Sequence, residues 1–217
     1  MSADADDLWR FAVAVHARAG VENACLALQD EAGADVPLLL FAAWAAARRG
    51  VVLPAETLAD LDSRLVPWRE TVIRPLRTVR RTMKGAPPPH RDLETPAADL
   101  RARLKSVELE AERLALDALA AHARLDPRNT AKASDAPPPR EAILQALRAV
   151  VALPAAGVAD SWRERHLAVL TDAALGETPV TGVYDLEDPE RALRALVSPF
   201  GGTVRRLTPY LLVVSPP

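Results

Sequence analysis

Residues 38–47 constrain the fold more than any other part of the chain, because every one of these positions is apolar (LLLFAAWAAA). Asp35 and Pro37 precede the segment as a helix cap and a first-turn proline, and Gly50 follows it as a helix stop. In a soluble protein, a helix that is apolar all round must be enclosed by other helices. The segment therefore predicts the central helix of a helical bundle.

Composition supports a helical core. Hydrophobic residues make up 49% of the 217 residues but aromatic residues only 4%, so the core must be built from Ala, Leu and Val. Such a core favours closely packed helices over a β-sandwich. The length allows one good core and a smaller module, or one larger domain. We therefore expect a mainly α protein, with an N-terminal helical bundle and a small C-terminal α+β module.

The domain division of the chain is predicted from a segment whose residues interrupt helices. Residues 126–140 are polar and rich in proline, as is typical of a linker. We place a bundle domain at residues 1–125, a linker at 126–140 and the small module at 141–217. Within that module we expect helices, then a strand at residues 180–184 and a hairpin formed by residues 203–207 and 210–214.

A basic stripe marks the helix that precedes the proline run at residues 87–89. Arg77, Arg80, Arg81 and Lys84 are spaced i, i+3, i+4 and i+7, so they share one helical face. The opposite face is apolar and is expected to be buried; it comprises Val72, Ile73, Leu76, Val79 and Met83. A long amphipathic helix should follow from Thr95, with an apolar stripe formed by Leu100, Leu104, Val107, Ala111 and Leu114.

These features favour a non-catalytic interaction or adaptor protein. Its predicted surface is the basic face with its neighbours: Trp68, Arg69, Arg77, Arg80, Arg81 and Lys84. A tryptophan beside arginine is typical of interface hot spots, and the expected partner is an acidic protein surface. The stripe could instead be merely solvated, or could pair with Glu108, Glu110 and Glu112 of the long helix. Binding of nucleic acid or another anionic surface is a further alternative, disfavoured by a net charge of −2 and a pI near 6.1.

An enzyme or small-ligand binder is the other alternative, with a pocket between the bundle helices lined by Trp9, Trp44, Gln29 and Asp30. No catalytic residues, cofactor or metal are predicted, because the four histidines are far apart and no phosphate-binding glycine loop occurs. Cys25 is the single cysteine and falls on an apolar stripe, so we expect it to be buried.

The location predicted for the chain is a bacterial-type cytoplasm. The N-terminus is acidic and lacks the basic region of a signal peptide, and the longest apolar run is too short to span a bilayer. Oligomeric state is left open.

Two sets of segments resemble known families. The first set is LWRF at 8–11, ACLALQD at 24–30, DVPLLLF at 35–41, PWRE at 67–70, PLR at 75–77 and ELEAERL at 108–114. Through these segments about residues 7–120 resemble a proteobacterial family, domain of unknown function 2390, with a departure at position 37, where proline replaces an expected asparagine.

The second set is HLAVLTDAAL at 166–175, VTGVYDLEDP at 180–189, ALRAL at 192–196 and RLTPYLLVV at 206–214. Through these segments residues 166–214 loosely resemble the C-terminal module of FecR-type sigma-factor regulators, which implies a small β-α-β fold.

Overall fold

The computed structural model describes residues 3–86, 88–122, 139–154, 157–177, 189–198, 203–208 and 211–215, and it is mainly helical. The α-helices are α1 (Ala3–His16), α2 (Val21–Ala32), α3 (Val36–Arg49), α4 (Ala55–Trp68), α5 (Arg74–Gly85), α6 (Glu94–His122), α7 (Pro139–Val151), α8 (Asp160–Leu175) and α9 (Pro189–Val197). A π-helix (Arg69–Ile73) joins α4 to α5, and a 3-10 turn (Arg91–Leu93) precedes α6. The strands are β1 (Thr203–Thr208) and β2 (Leu211–Ser215).

Helix α3 is the centre of the bundle, as predicted. All its residues from Pro37 to Ala47 are buried, and α1, α2, α6, α7 and α8 pack around it. The Oδ1 atom of Asp35 accepts a hydrogen bond from the Leu38 N–H at 2.9 Å, which caps the helix start. Gly50 ends the helix with φ 65°, a left-handed conformation that glycine adopts without a steric cost.

Pro67 lies inside helix α4 and does not break it, although proline cannot donate a backbone hydrogen bond and clashes with the preceding turn. Helix α4 runs directly into the π-helix and then into α5, so the chain from Ala55 to Gly85 is one continuous rod. The π-helix lies between Pro67 and Pro75, two residues that cannot donate a backbone hydrogen bond. The Arg74 N–H donates to the Arg69 carbonyl across the wider turn, which keeps the rod helical ahead of Pro75.

Helices α7 and α8 belong to the same hydrophobic core as the first helices. The α7 residues Ile143 and Leu147 are fully buried, and α7 packs on α3 while α8 packs on α2. The prediction that residues 141–217 form a unit separate from residues 1–125 is therefore wrong for these two helices. Their apolar faces complete the enclosure of α3, which the first helices alone leave open.

The C-terminal elements contain a helix and two strands. The strands β1 and β2 pair antiparallel, with Val204 opposite Val214, and α9 contacts β1. That these elements form a small α+β module stays a prediction. The strand expected at residues 180–184 and most of the linker expected at residues 126–140 lie outside the described residues. In the part of the chain that is described, no helix is long and apolar enough to cross a membrane.

Candidate functional site

Arg69 anchors the π-helix to the start of α3. Its Nη1 atom donates to Asp35 Oδ2 and to Asp62 Oδ1, both at 2.8 Å. Burial alone would lower the pKa of Arg69, but the hydrogen bonds to Asp62 and Asp35 outweigh burial and raise it. Asp35 also caps α3, so a single guanidinium links α4, the π-helix and the central helix. Arg69, predicted as part of an interaction surface, is used inside the fold.

Arg77 and Arg80 of α5 pair with two glutamates of α6. Arg77 donates from Nε to Glu108 Oε1 at 2.9 Å and from Nη2 to Glu112 Oε1 at 2.5 Å. Arg80 donates from Nη2 to Glu108 Oε1 at 3.1 Å and from Nε to Glu108 Oε2. Glu108 thus holds two arginines at once and is almost completely buried. This was one of the alternatives left open by the sequence.

The pKa values of the two carboxylates in this cluster shift in opposite directions. Burial would raise the pKa of Glu108, but the hydrogen bonds from Arg80 and Arg77 outweigh it and lower that pKa. The pKa of Glu112 is raised, because burial exceeds the effect of its one partner, Arg77. Glu108 is therefore a firmly ionised bridge between the two helices, whereas Glu112 is a carboxylate whose ionisation is opposed by its surroundings.

Helix α5 directs part of its basic face, Arg77 and Arg80, toward α6. The side chains of Arg77 and Arg80 are 16% and 20% exposed, whereas Val79 of the apolar face is 49% exposed. On the face expected to be buried, Ile73 is buried, and Val72, Leu76 and Met83 are half-buried. The expected burial is therefore only partial, because Glu108 and Glu112 also face α5 and pair with its guanidinium groups.

The rest of the predicted surface is partly available. Trp68 is 36% exposed and its indole donates its N–H to the Ala111 carbonyl at 3.0 Å, so it links the end of α4 to α6. Arg81 is exposed and pairs with Asp30 at 3.1 Å. Lys84 is exposed and has no ion pair within the described residues. Only Trp68, Arg81 and Lys84 thus present much surface to a partner.

Helix α6 exposes three of the five residues of the apolar stripe predicted from the sequence. Leu100, Val107 and Leu114 are 43%, 46% and 55% exposed, and Leu93, the residue directly before the helix, is 43% exposed. We call these four residues the α6 strip. The buried face of the helix is centred elsewhere, on Glu108, Ala111, Ala115, Leu116 and Leu119. The hairpin formed by α5 and α6 therefore exposes several large apolar side chains, while Glu108 is buried between its helices.

The residues predicted to line a pocket are not brought together. Trp44 is fully buried, donates its N–H to Asp7 Oδ2 at 2.9 Å and lies under the Arg49 guanidinium at 4.9 Å from the ring centre. Trp9 is half-buried beneath Arg113, at 5.1 Å. Each tryptophan already has a packing role of its own.

Gln29 and Asp30 lie together on the surface of α2, away from those two tryptophans. Gln29 donates to Asp30 at 2.9 Å. Burial alone would raise the pKa of Asp30, but the hydrogen bonds from Gln29 and Arg81 lower it. Gln29 also lines a cavity at the start of α3, beside Asp35, Arg69 and Arg77. That cavity measures about 30 Å³, which is room for a water molecule and too little for a substrate.

Cys25 is buried, as expected. Burial, together with the nearby charge of Glu112, raises the pKa of its thiol to about 12, so the thiolate needed for nucleophilic chemistry is not formed at neutral pH. In the part of the chain that the structure describes, no group of three or more His, Cys, Asp or Glu side chains could hold a metal ion.

Glu108 is the residue whose importance the sequence understated. The signal was present: Glu108 and Glu112 are spaced i, i+4 on α6, opposite Arg77 and Arg80 spaced i, i+3 on α5. In an antiparallel hairpin, two such pairs can meet face to face. Recognising the pairing requires the hairpin to be known, because the sequence alone allows the arginines to face solvent.

The comparisons with known proteins place the chain in a family. Residues 7–119 match the family described as "Protein of unknown function (DUF2390)". This is more than half of the chain, so the chain belongs to that family, and the resemblance predicted for residues 7–120 is confirmed. The resemblance of residues 166–214 to FecR-type regulators receives no support. No curated protein and no solved structure matches the chain.

Proposed function

We propose that this protein is a non-catalytic interaction protein and that the α5–α6 hairpin carries its docking surface. One observation supports the proposal above all: the hairpin exposes large apolar side chains, while Arg77 and Arg80 are engaged with Glu108 and Glu112 between its two helices. Of the ten large apolar side chains that are exposed within the described residues, six lie between Val79 and Leu114. Exposed apolar side chains concentrated on one element are typical of protein–protein interaction sites.

The expected partner has an apolar face with acidic groups at its margin. Lys84, Arg103 and Lys105 are exposed on the hairpin and have no ion pair within the described residues. Such cations steer an acidic partner and add little affinity by themselves. The proposal keeps the adaptor role predicted from the sequence but moves the binding energy from Arg77 and Arg80 to the α6 strip, because those two guanidinium groups are already neutralised.

The other functions considered have less support. The small-ligand alternative needs Trp9, Trp44, Gln29 and Asp30 around one cavity, and these residues are apart. The anionic-surface or nucleic-acid alternative relies on Arg77, Arg80 and Arg81, which pair with Glu108, Glu112 and Asp30. A cytoplasmic location stays a prediction.

A capture experiment with matched variants tests the proposed function. The double variant Leu100→Glu, Leu114→Glu places charges on the α6 strip, while Leu109→Glu places one on another exposed side of the same helix, where Leu109 is 49% exposed. We expect the tagged wild-type chain and Leu109→Glu to recover the same partners from native lysate, and the double variant to lose them. Equal recovery by all three chains would refute a docking role for the hairpin.

A further inference from the structure

The four residues of the α6 strip are spaced with the period of a coiled coil. Leu93, Leu100, Val107 and Leu114 recur every seventh residue. Seven residues fall only about 20° short of two full turns of an α-helix, so Leu100, Val107 and Leu114 form one line along α6, and Leu93 lies in the 3-10 turn directly before it. Leu104 lies beside this line and is half-buried. A line of this kind suits the seam of a second helix.

The charges beside the strip select the orientation of that helix. Arg103 and Glu110 are both exposed, flank the strip on the same side, and have no ion pair within the described residues. They lie four residues before and three residues after Val107. In an antiparallel pair of identical helices centred on Val107, Arg103 of each copy meets Glu110 of the other. A parallel two-fold pair would place Arg103 of one copy and Glu110 of the other on opposite sides of the seam, so this pairing would be lost.

An antiparallel pair of α6 helices centred on Val107 also brings the apolar residues of the two copies into contact. Leu100 and Leu114 lie seven residues on either side of Val107, so Leu100 of one copy faces Leu114 of the other, and the two Val107 side chains meet on the symmetry axis. A two-fold axis requires such a self-complementary surface, with each contact made twice. Both the apolar and the charged pattern are satisfied by one register.

We propose that the occupant of the α6 strip is a second copy of this chain, packed antiparallel through α6 about Val107. This inference rests on the proposed function and specifies its partner. The chain would be a homodimer in which the two α6 helices form the seam and two Arg103–Glu110 pairs flank it on either side of Val107.

The mass of the full-length protein in solution is the first test. Sedimentation over a wide concentration range should give twice the 23.4 kDa of the chain, with reversible dissociation on dilution. Val107→Glu, which places two carboxylates on the axis, should weaken dimerisation at least tenfold. Leu109→Glu is the control, because Leu109 is equally exposed but lies about 200° further round the helix. It should dimerise like the wild type, and far-ultraviolet circular dichroism should show all chains folded.

The orientation has its own tests. Arg103→Glu and Glu110→Arg should each weaken the dimer, and the double variant should restore it, because the exchanged pair has the same complementarity. Leu100→Cys and Leu114→Cys should form disulfide-linked dimers when mixed but not when each is oxidised alone, since Cys25 is buried and takes no part. Cross-linking of Leu100→Cys with itself would overturn the antiparallel arrangement.

The outcomes separate this inference from the proposed function. A wild-type chain that is monomeric at every concentration overturns the dimer. If capture from lysate still depends on Leu100 and Leu114, the docking surface remains and its occupant is another protein. If Val107→Glu destabilises a monomer without any change of mass, the strip is covered by another part of the same chain, and the dimer is refuted.

Discussion

Glu108 lies on a helix face whose other buried members are alanine and leucine, and its ionised state depends on two neighbours. Transferring a carboxylate from water into such a site is costly unless its oxygens accept strong hydrogen bonds. Arg77 and Arg80 provide those bonds from the adjacent helix. Glu112, one turn further along, has only Arg77 and is the weaker member. Glu108 thereby holds Arg77 and Arg80, two of the four residues of the basic face, against α6.

Replacing Glu108 and Glu112 by glutamine, one at a time, should distinguish the roles of the two carboxylates. Glu108→Gln should lower the free energy of unfolding by about 2 kcal/mol at neutral pH, because two arginines lose a charged acceptor. Glu112→Gln should change it by less than about 1 kcal/mol, because it also removes a carboxylate that burial destabilises. Urea denaturation of the three chains measures both values. Equal losses of unfolding free energy in the two variants would contradict the different roles of Glu108 and Glu112.

The changes in unfolding free energy caused by Glu108→Gln and Glu112→Gln should depend on pH in opposite directions. The lowered pKa of Glu108 gives stability that is present above its ordinary value near 4.5 and is lost as the pH falls through the folded-state pKa. The loss caused by Glu108→Gln should therefore shrink on acidification. The raised pKa of Glu112 means that the wild type gains stability from its protonation as the pH falls toward 4.5, a gain that Glu112→Gln lacks. Repeating the urea series from neutral pH to about pH 3 measures both trends, because the Glu112 effect develops above pH 4.5 and the Glu108 effect below it.

At the scale of elements, the contrast between α3 and α5 shows what an apolar pattern can decide. Helix α3 is apolar on every side, so any packing that folds the chain must bury it. Helix α5 is amphipathic, and its pattern is satisfied either with its apolar face inward or with its arginines paired. The structure takes the second arrangement, because α6 presents Glu108 and Glu112 to it. As a result, the hairpin surface differs in kind from the one that the α5 pattern predicts.

A charge introduced into α3 should unfold the protein. Leu40→Asp places an unpaired carboxylate among buried side chains, at a cost of several kcal/mol against a total stability of about 5–15 kcal/mol for a typical domain. Thermal denaturation should show a large loss of Tm or no folded protein. Val13→Asp is the control, because Val13 lies on α1 but is half exposed, and it should cost no more than about 0.5 kcal/mol. An unchanged Tm for Leu40→Asp would mean that α3 is not central.

At the scale of the whole molecule, the core joins helices that are far apart in the chain. Residues 139–151 and 160–175 cover faces of α3 and α2, although a polar, proline-rich segment separates them from the first bundle helices. A composition change along the chain was the basis for a domain boundary, but composition does not show which surfaces meet. The shared core predicts that the bundle and α7 unfold together.

Leu147→Ala tests that cooperativity. Leu147 is fully buried on α7, and truncation of such a leucine costs about 2–5 kcal/mol. With one shared core, the whole helical signal and the exposure of the Cys25 thiol should shift together to lower urea concentration. Alkylation of Cys25 followed alongside circular dichroism measures the two. A variant in which Cys25 becomes reactive at the wild-type urea concentration would show that α7 folds apart from α2.

Some features were predictable from the sequence alone, because only one folded arrangement satisfies their residues. The bounds of α3 followed from Asp35, Pro37 and Gly50, because a cap, a first-turn proline and a left-handed glycine act locally. The central position of α3 followed from its lack of any polar face. The burial of Cys25 followed from its place on an apolar stripe. The family was predictable for the same reason, since its motifs are local and keep their order and spacing.

Other features depend on which helix faces pack against each other, and these are known only from the three-dimensional structure. Arg77 and Arg80 could face solvent, a partner or α6, and only the antiparallel placement of α5 and α6 selects Glu108. The apolar residues at 100, 107 and 114 fit a buried stripe as well as an exposed one, and their exposure follows from α6 packing through the face of Ala111 and Ala115 instead. Periodicity identifies the faces of a helix, but the neighbours of the helix determine which face is buried.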